Sequence, residues 1–269
     1  MTPLDTLRRH LKDFGRVMLG YSGGVDSALL AVVGRQALGP ERFLAVIGRS
    51  ASYPEVQWRA AVALARRFDV PLLEVETREL DDPRYVANPT NRCYFCKSEL
   101  WGRLAALAER RGFDTIIDGT NADDLGEHRP GLGAAAEHRI RSPLAELGWT
   151  KAAIRQTSRQ LGLPDWDAPA APCLSSRLVY GLEVTPQRLQ QIEAGESFLR
   201  SVGVTGDLRV RHHGARARLE VAADQRDRLR ARWPAVEEFF GRIGFLSVEL
   251  DPAGYRRGGL LELASPQPG

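Results

Sequence analysis

Through the first part of the chain, short apolar runs alternate with longer stretches whose apolar positions recur at helical spacing. Residues 16–21, 43–48, 71–75 and 115–118 are near-continuous in apolar side chains, the pattern of strands buried on both faces. Residues 27–38, 54–68 and 98–111 read as helices. Their ends carry signals: Asp26 or Ser27 as an N-cap, Pro54 in a first turn, Gly112 as a stop. Thr150 caps a further helix over 151–161, closed by Gly162 and Pro164. Strands alternating with helices predict an α/β fold built on a doubly wound, mostly parallel sheet.

After Gly181 the rhythm changes. A helix from Thr185-Pro186 to Val202, two closely spaced strands over 208–212 and 217–221, a helical stretch over 224–240 broken at Pro234, and a last strand over 245–250 form a smaller α+β module. The pattern predicts two domains, 1–178 and 179–269, with a frayed tail over 264–269.

The 269 residues are enough for two cores, and 43% hydrophobic with 26% charged side chains is the balance of a soluble globular protein. No apolar run approaches the ~20 residues a membrane helix needs. The start, Met1-Thr2-Pro3-Leu4-Asp5, lacks a basic segment followed by an apolar one, so a cytoplasmic protein is expected. A net charge of +3 permits an anionic small-molecule ligand without demanding nucleic acid, and no dense basic stripe with interleaved aromatics is present. Lys12, Lys97 and Lys151 are the lysines; every other base is Arg. Three cysteines are too few for a disulfide framework and point to metal, redox or nucleophile chemistry.

The first strand runs into Ser22-Gly23-Gly24-Val25-Asp26-Ser27 and then a helix. Two glycines let backbone amides approach phosphate oxygens, and the helix N-terminus adds a positive dipole. Ser22 and Ser27 offer hydroxyls, and Asp26 is a candidate ligand for Mg²⁺ on a departing pyrophosphate. The loop is neither a Walker A sequence nor G-x-G-x-x-G. A second polar segment, Asp118-Gly119-Thr120-Asn121-Ala122-Asp123-Asp124, follows the fourth strand at the ligand edge of such a sheet.

Cys93 and Cys96 form a C-x-x-C, and Cys173 stands alone in Ala171-Pro172-Cys173-Leu174-Ser175-Ser176-Arg177. The pair by itself serves redox, zinc and iron–sulfur sites alike. A structural zinc needs a fourth ligand, and none of His10, His128, His138, His212 and His213 is closely spaced to a cysteine. Three thiolates without an obvious fourth ligand suit a 4Fe–4S cluster with one open iron. The pair is expected just before the helix over 98–111, and Cys173 on the loop between the domains. Arg177 can steady an anion beside Cys173. Arg209 and Arg211, at i and i+2 of a strand, share a face and suit a substrate phosphate. The neighbouring His212 and His213 point to opposite faces and read as structural.

The glycine loop resembles the SGGxDS signature of the PP-loop ATP pyrophosphatases, which form an adenylate and release pyrophosphate. That likeness implies a nucleotide site lined by Ser22, Gly23, Gly24, Asp26, Ser27, Gly119, Thr120, Asn121 and Asp123, taking ATP with Mg²⁺. Residues 88–97, 118–126, 129–131, 142–144, 172–177 and 209–214 extend the resemblance over nearly the whole chain, to the LarE family of sulfur transferases that build the nickel-pincer nucleotide of lactate racemase. The resemblance implies adenylation of carboxylates of pyridinium-3,5-dicarboxylic acid mononucleotide, followed by conversion to thiocarboxylates. It implies Asp26, Cys173 and Arg177 as catalytic residues, Arg209 and Arg211 on the substrate phosphate, and Glu196 and Glu220 as acids around the site. With the C-x-x-C present, it implies Cys93, Cys96 and Cys173 as ligands of a 4Fe–4S cluster carrying an extra sulfide; members with only the last cysteine give up its own sulfur. Family members form rings of several subunits, so a homo-oligomer is expected. A PP-loop tRNA thiolase with a cluster is the alternative enzyme, and a nucleotide sensor the non-enzymatic one. An amidotransferase or NAD synthetase lacks its glutaminase domain here and leaves the cysteines unexplained.

Overall fold

The computed structural model describes residues 2–126, 130–169 and 171–256; Arg129, His128 and the tail from residue 257 lie outside the described residues. In chain order the elements are α1 (Pro3–Lys12), β1 (Val17–Gly20), α2 (Val25–Leu38), β2 (Phe43–Arg49), α3 (Glu55–Arg67), β3 (Leu72–Glu76), α4 (Pro83–Val86), α5 (Arg92–Arg111), β4 (Thr115–Ile117), α6 (Pro130–Glu137), α7 (Pro143–Glu146), α8 (Lys151–Gln160), α9 (Pro186–Ser201), β5 (Leu208–His213), β6 (Arg216–Val221), α10 (Arg226–Arg230), α11 (Trp233–Arg242) and β7 (Ser247–Leu250). No helix among the described residues is long and apolar enough to cross a membrane.

The chain divides into two units. The first comprises Met1–Glu79 and Asn91–Ala171. Its four strands are all parallel, in the order β3-β2-β1-β4. Alternation along each strand sends side chains to two cores. Val17, Leu19, Ala45, Ile47 and Ile117 pack with residues of α1, α2, α3 and α8 on one face. Met18, Leu44 and Val46 pack with Trp101, Leu104 and Ala134 of α5 and α6 on the other. The sheet is therefore doubly wound, as the strand–helix alternation predicts. Neighbours β1 and β4 were reached by opposite turns of the chain, so their carboxyl ends flank the topological switch point, where such sheets bind ligands.

The second unit comprises Leu80–Thr90 and Pro172–Gly269, as far as the latter is described. Strands β5 and β6 form an antiparallel hairpin and β7 joins β6 in parallel. Leu208, Val210, Ala217, Leu219 and Val221 bury one face against Leu199 of α9, Leu229 of α10 and Val236 and Phe240 of α11. The opposite face carries Arg209, Arg211 and Glu220.

Three details depart from expectation. Helix α2 is capped by Gly24, not by Asp26 or Ser27, which lie inside its first turn. Helix α5 begins at Arg92, so the C-x-x-C lies within the helix rather than before it. Pro234 does not break the 224–240 stretch: the interruption falls at Ala231–Arg232, and Pro234 occupies the first turn of α11, where its missing N–H costs nothing.

The division falls before Pro172 rather than after residue 178, and Leu80–Thr90 belongs with the second unit because Asn88 fastens it there. Asn88 has φ of 52°, a conformation Asn tolerates better than most side chains. It is fully buried; its Nδ2 donates to the carbonyls of Val179 and Leu182 at 2.8 and 2.9 Å, and its own carbonyl accepts from the Gly181 amide at 3.0 Å. Asn88→Ala leaves two carbonyls without their donor and should destabilise the protein by about 2 kcal/mol, read as a lower urea midpoint at unchanged slope.

Candidate active site

The Ser22–Ser27 loop turns through Gly23, at φ of 71°, a left-handed conformation that glycine adopts freely. A Cβ on Gly23 would stand 2.6 Å from the Ala61 side chain. Gly24 caps α2 with no side-chain acceptor on the first amides, so the helix N-terminus is left to an anion. The hydroxyls of Ser22 and Ser27 lie 3.2 Å apart; Ser27 also donates to the Gly24 carbonyl at 3.0 Å, and Tyr53 donates to the Ser22 carbonyl at 2.9 Å. Gly-rich backbone, hydroxyls and an uncapped helix fit a phosphate chain.

The segment after β4 is folded against this loop. A Cβ on Gly119 would stand 2.9 Å from the Ser27 amide nitrogen. Asp118 accepts from the Thr120 amide and hydroxyl and from Ser142, at 3.0, 2.8 and 2.8 Å. Asn121, buried, accepts from the Asp123 amide at 3.0 Å, and Asp123 in turn accepts from the Lys151 amide at 2.8 Å. These side chains shape the segment, and Gly119 brings it beside the loop.

Asp26 is engaged by a residue that the sequence reading passed over. The Lys151 Nζ lies 2.7 and 2.6 Å from the two Asp26 carboxylate oxygens. Lys151 is the first residue of α8, capped by Thr150 as expected. The signal in the sequence was only its rarity: one of three lysines in a chain whose other bases are arginines.

Cys93 and Cys96 lie three residues apart at the start of α5 and so share a helix face. Cys93 is exposed and Cys96 half-buried. Cys173, also half-buried, is the N-cap of a short 3₁₀ turn, Leu174–Arg177, in the second unit. Within either unit, no three His, Cys, Asp or Glu side chains among the described residues form a metal-binding group.

In the second unit the remaining candidates converge. Arg177, 3% exposed, forms an ion pair with Glu196 at 2.9 Å and donates to the carbonyls of Cys173, at 2.9 Å, and Pro172. Glu196 also accepts from the Val210 amide at 3.2 Å. Arg211 pairs with Glu220 at 2.9 Å and donates to the Ser176 carbonyl at 2.8 Å. Arg209, 8% exposed, donates to the Leu208 carbonyl at 2.6 Å and stands over the Tyr255 ring at 5.0 Å. No carboxylate among the described residues pairs with it. Burial, then repulsion from Arg177, lowers its pKa. His212 points the other way, its Nε2 3.0 Å from the Gln191 Oε1, and burial pushes it down to about 4.

Burial raises the Glu220 pKa above its ordinary 4.5, with Arg211 opposing the shift. A carboxyl whose folded pKa is raised supports the fold fully below 4.5 and loses that support as pH rises through its folded value. Arg211→Ala removes the opposing cation. The variant should therefore lose progressively more stability, relative to the parent, between pH 5 and 8, as measured by urea titration across that range.

Comparisons agree with this geometry. A family model described as NAD synthase matches residues 4–87, the stretch from α1 through the glycine loop to the end of α4. An uncharacterized protein of Synechocystis sp. is 43% identical over 96% of this chain and 96% of its own length. GMP synthase of Lacticaseibacillus casei is 24% identical, covering 89% of this chain and 54% of its own length. The pyridinium-3,5-bisthiocarboxylic acid mononucleotide synthase of Lactiplantibacillus plantarum is 31% identical over 96% of this chain and 93% of its own length. A parallel sheet with the glycine loop at its switch point, together with that last likeness along both units, places this chain in the LarE family of PP-loop ATP pyrophosphatases, as an ATP-dependent enzyme.

Proposed function

We propose that the chain is a sulfur transferase that adenylates carboxylates of pyridinium-3,5-dicarboxylic acid mononucleotide and converts them to thiocarboxylates. Three things support the reading: the name of the Lactiplantibacillus relative, the anion cradle of the first unit, and the arginine cluster of the second. The observation that carries it is Arg209, a buried guanidinium without a carboxylate partner among the described residues, in the cluster that also fixes the backbone of Cys173. A buried cation calls for an anion, and a nucleotide phosphate supplies one.

A carboxylate is a poor electrophile because its leaving group would be oxide; attack of its oxygen on the α-phosphorus of ATP releases pyrophosphate and gives an acyl adenylate whose leaving group is AMP. The amides of the glycine loop and the N-terminus of α2 hold the phosphates, with Ser22 and Ser27 as hydroxyl donors. Asp26 would hold Mg²⁺, which would supply neutralisation of charge on a departing pyrophosphate. Arg209 and Arg211 hold the substrate phosphate, and Arg177 keeps Cys173 oriented through its carbonyl. Glu196 and Glu220 keep two of the three guanidiniums in place. Cys93, Cys96 and Cys173 offer three thiolates for a 4Fe–4S cluster, a donor set that suits iron and leaves one iron open; when bound, such a cluster carries sulfide for transfer. The same chemistry assigns a small nucleotide substrate and no nucleic acid, and the family likeness a homo-oligomer.

Incubation with ATP, Mg²⁺ and the dicarboxylate nucleotide should yield AMP and pyrophosphate; ADP and phosphate would overturn the assignment. Arg209→Ala should raise the KM for the nucleotide substrate by roughly ten- to a hundredfold and leave that for ATP unchanged, the loss of one charge-assisted bond. Cys93→Ser, Cys96→Ser and Cys173→Ser should each remove iron from anaerobically purified protein and stop sulfur transfer while pyrophosphate release survives. If only Cys173→Ser stops transfer, the cysteine gives up its own sulfur, and mass spectrometry should find the chain ~34 Da lighter after one turnover, the mass of H₂S leaving with that nucleophile.

A further inference from the structure

The ammonium of Lys151 occupies both oxygens of Asp26, the atoms through which that carboxylate would hold a divalent cation. Neither side chain is deeply buried: Lys151 is 31% and Asp26 21% exposed. The root of Lys151 is fixed, since its amide is held by Asp123 at 2.8 Å and α8 is capped by Thr150. The four-carbon stem beyond that root is rotatable, so the ammonium can move while the helix stays. Asp26 is the second residue of α2, and the first amides of that helix have no side-chain cap. The ammonium thus already stands at the helix end where the phosphates of ATP would bind.

We propose that Lys151 is an exchangeable counter-ion: it competes with Mg²⁺ for Asp26, and gives up the carboxylate when the metal arrives with ATP, whose phosphate chain then takes the ammonium. Opposite charges face each other at each stage. Carboxylate with ammonium is neutral; metal and ammonium together face the carboxylate and a triphosphate. Metal without nucleotide would leave the ammonium beside a dication with no anion to turn to, so Asp26 discriminates against free metal. Lys151 is in this sense a specificity residue for metal that comes with nucleotide. The proposal rests on ATP use alone and not on the identity of the carboxylate substrate.

Mn²⁺ binding, read from the free-ion electron paramagnetic resonance signal, tests it without turnover. Lys151→Met should bind Mn²⁺ about fivefold more tightly than the parent in the absence of nucleotide, the worth of a half-exposed ion pair. The same variant should bind ATP in EDTA roughly tenfold more weakly by calorimetry, having lost the cation that offsets the Asp26 carboxylate beside the phosphates. Lys151→Arg, which keeps the charge, should restore both values towards the parent, and Lys151→Gln serves as the neutral variant should the Met form fail to fold. Unchanged Mn²⁺ affinity in the neutral variant, with or without a lower melting temperature, would make the pair a fold contact and overturn the proposal. Unchanged ATP affinity would overturn it equally. Neither readout involves the acyl acceptor, so failure here leaves the sulfur-transfer reading standing, and failure of that reading leaves this one to be judged on metal and ATP.

Discussion

No side chain fits between the two loops at the carboxyl edge of the parallel sheet. A Cβ on Gly119 would lie 2.9 Å from the Ser27 nitrogen and 3.3 Å from its Cα, atoms of helix backbone that cannot move aside cheaply. Much else in the first unit follows from that approach. It holds the segment after β4 against the start of α2, and that segment, through Asp123 and the Trp149 carbonyl, which accepts from the Ala122 amide at 2.9 Å, fixes where α8 begins. Where α8 begins decides where Lys151 stands, and Lys151 stands on Asp26. A backbone contact of glycine thus sets the electrostatics of a carboxylate in another element.

The second unit solves a different problem. Arg177, Arg209 and Arg211 are each at least nine-tenths buried, with Glu196 and Glu220 as the carboxylates among them. Burying a charge costs several kcal/mol unless it is paired and hydrogen-bonded, so an unequal set of charges away from water is a poor way to stabilise a fold. Backbone carbonyls of Pro172, Cys173, Ser176 and Leu208 take up part of the deficit. The proposed substrate phosphate would offset the surplus positive charge, so that the site would gain selectivity at the expense of stability.

The sequence made the strands and most helices of the first unit readable, because strands buried on both faces leave continuous apolar runs and glycine or proline marks the helix ends. It also exposed the glycine loop, the cysteine pair and the paired arginines, since each is a local pattern. Where reading failed, the cause was distance or an ambiguous end. The Asp26–Lys151 pair joins residues 125 apart in sequence, with no local pattern at either. Residues 80–90 give no sign that Asn88 binds carbonyls 91 and 94 residues away. The start of α5 was read late because Arg92, Lys97 and Ser98 interrupt the apolar periodicity, although Pro89 and Asn91 mark the turn before it. Helix α1, which precedes the strand–helix alternation, was not expected, yet its capping box on Thr2 and the buried Leu7 and Leu11 carry the usual signal.

The two anion sites proposed for this chain differ in kind, and the difference follows from what each would do with its anion. Backbone amides, hydroxyls and one partly exposed lysine would bind phosphate through groups that water can replace, which suits a product that must leave as pyrophosphate after each proposed adenylation. Buried guanidiniums held by carboxylates and carbonyls resist exchange with water and keep their geometry, which would suit the proposed substrate phosphate, anchoring the molecule while its chemistry proceeds elsewhere along it. Exchanging the two designs would defeat both: an arginine cage would retain pyrophosphate, and a lone flexible ammonium would release the substrate between steps. On the proposed reading, the rare lysine and the buried arginines each stand where that demand falls.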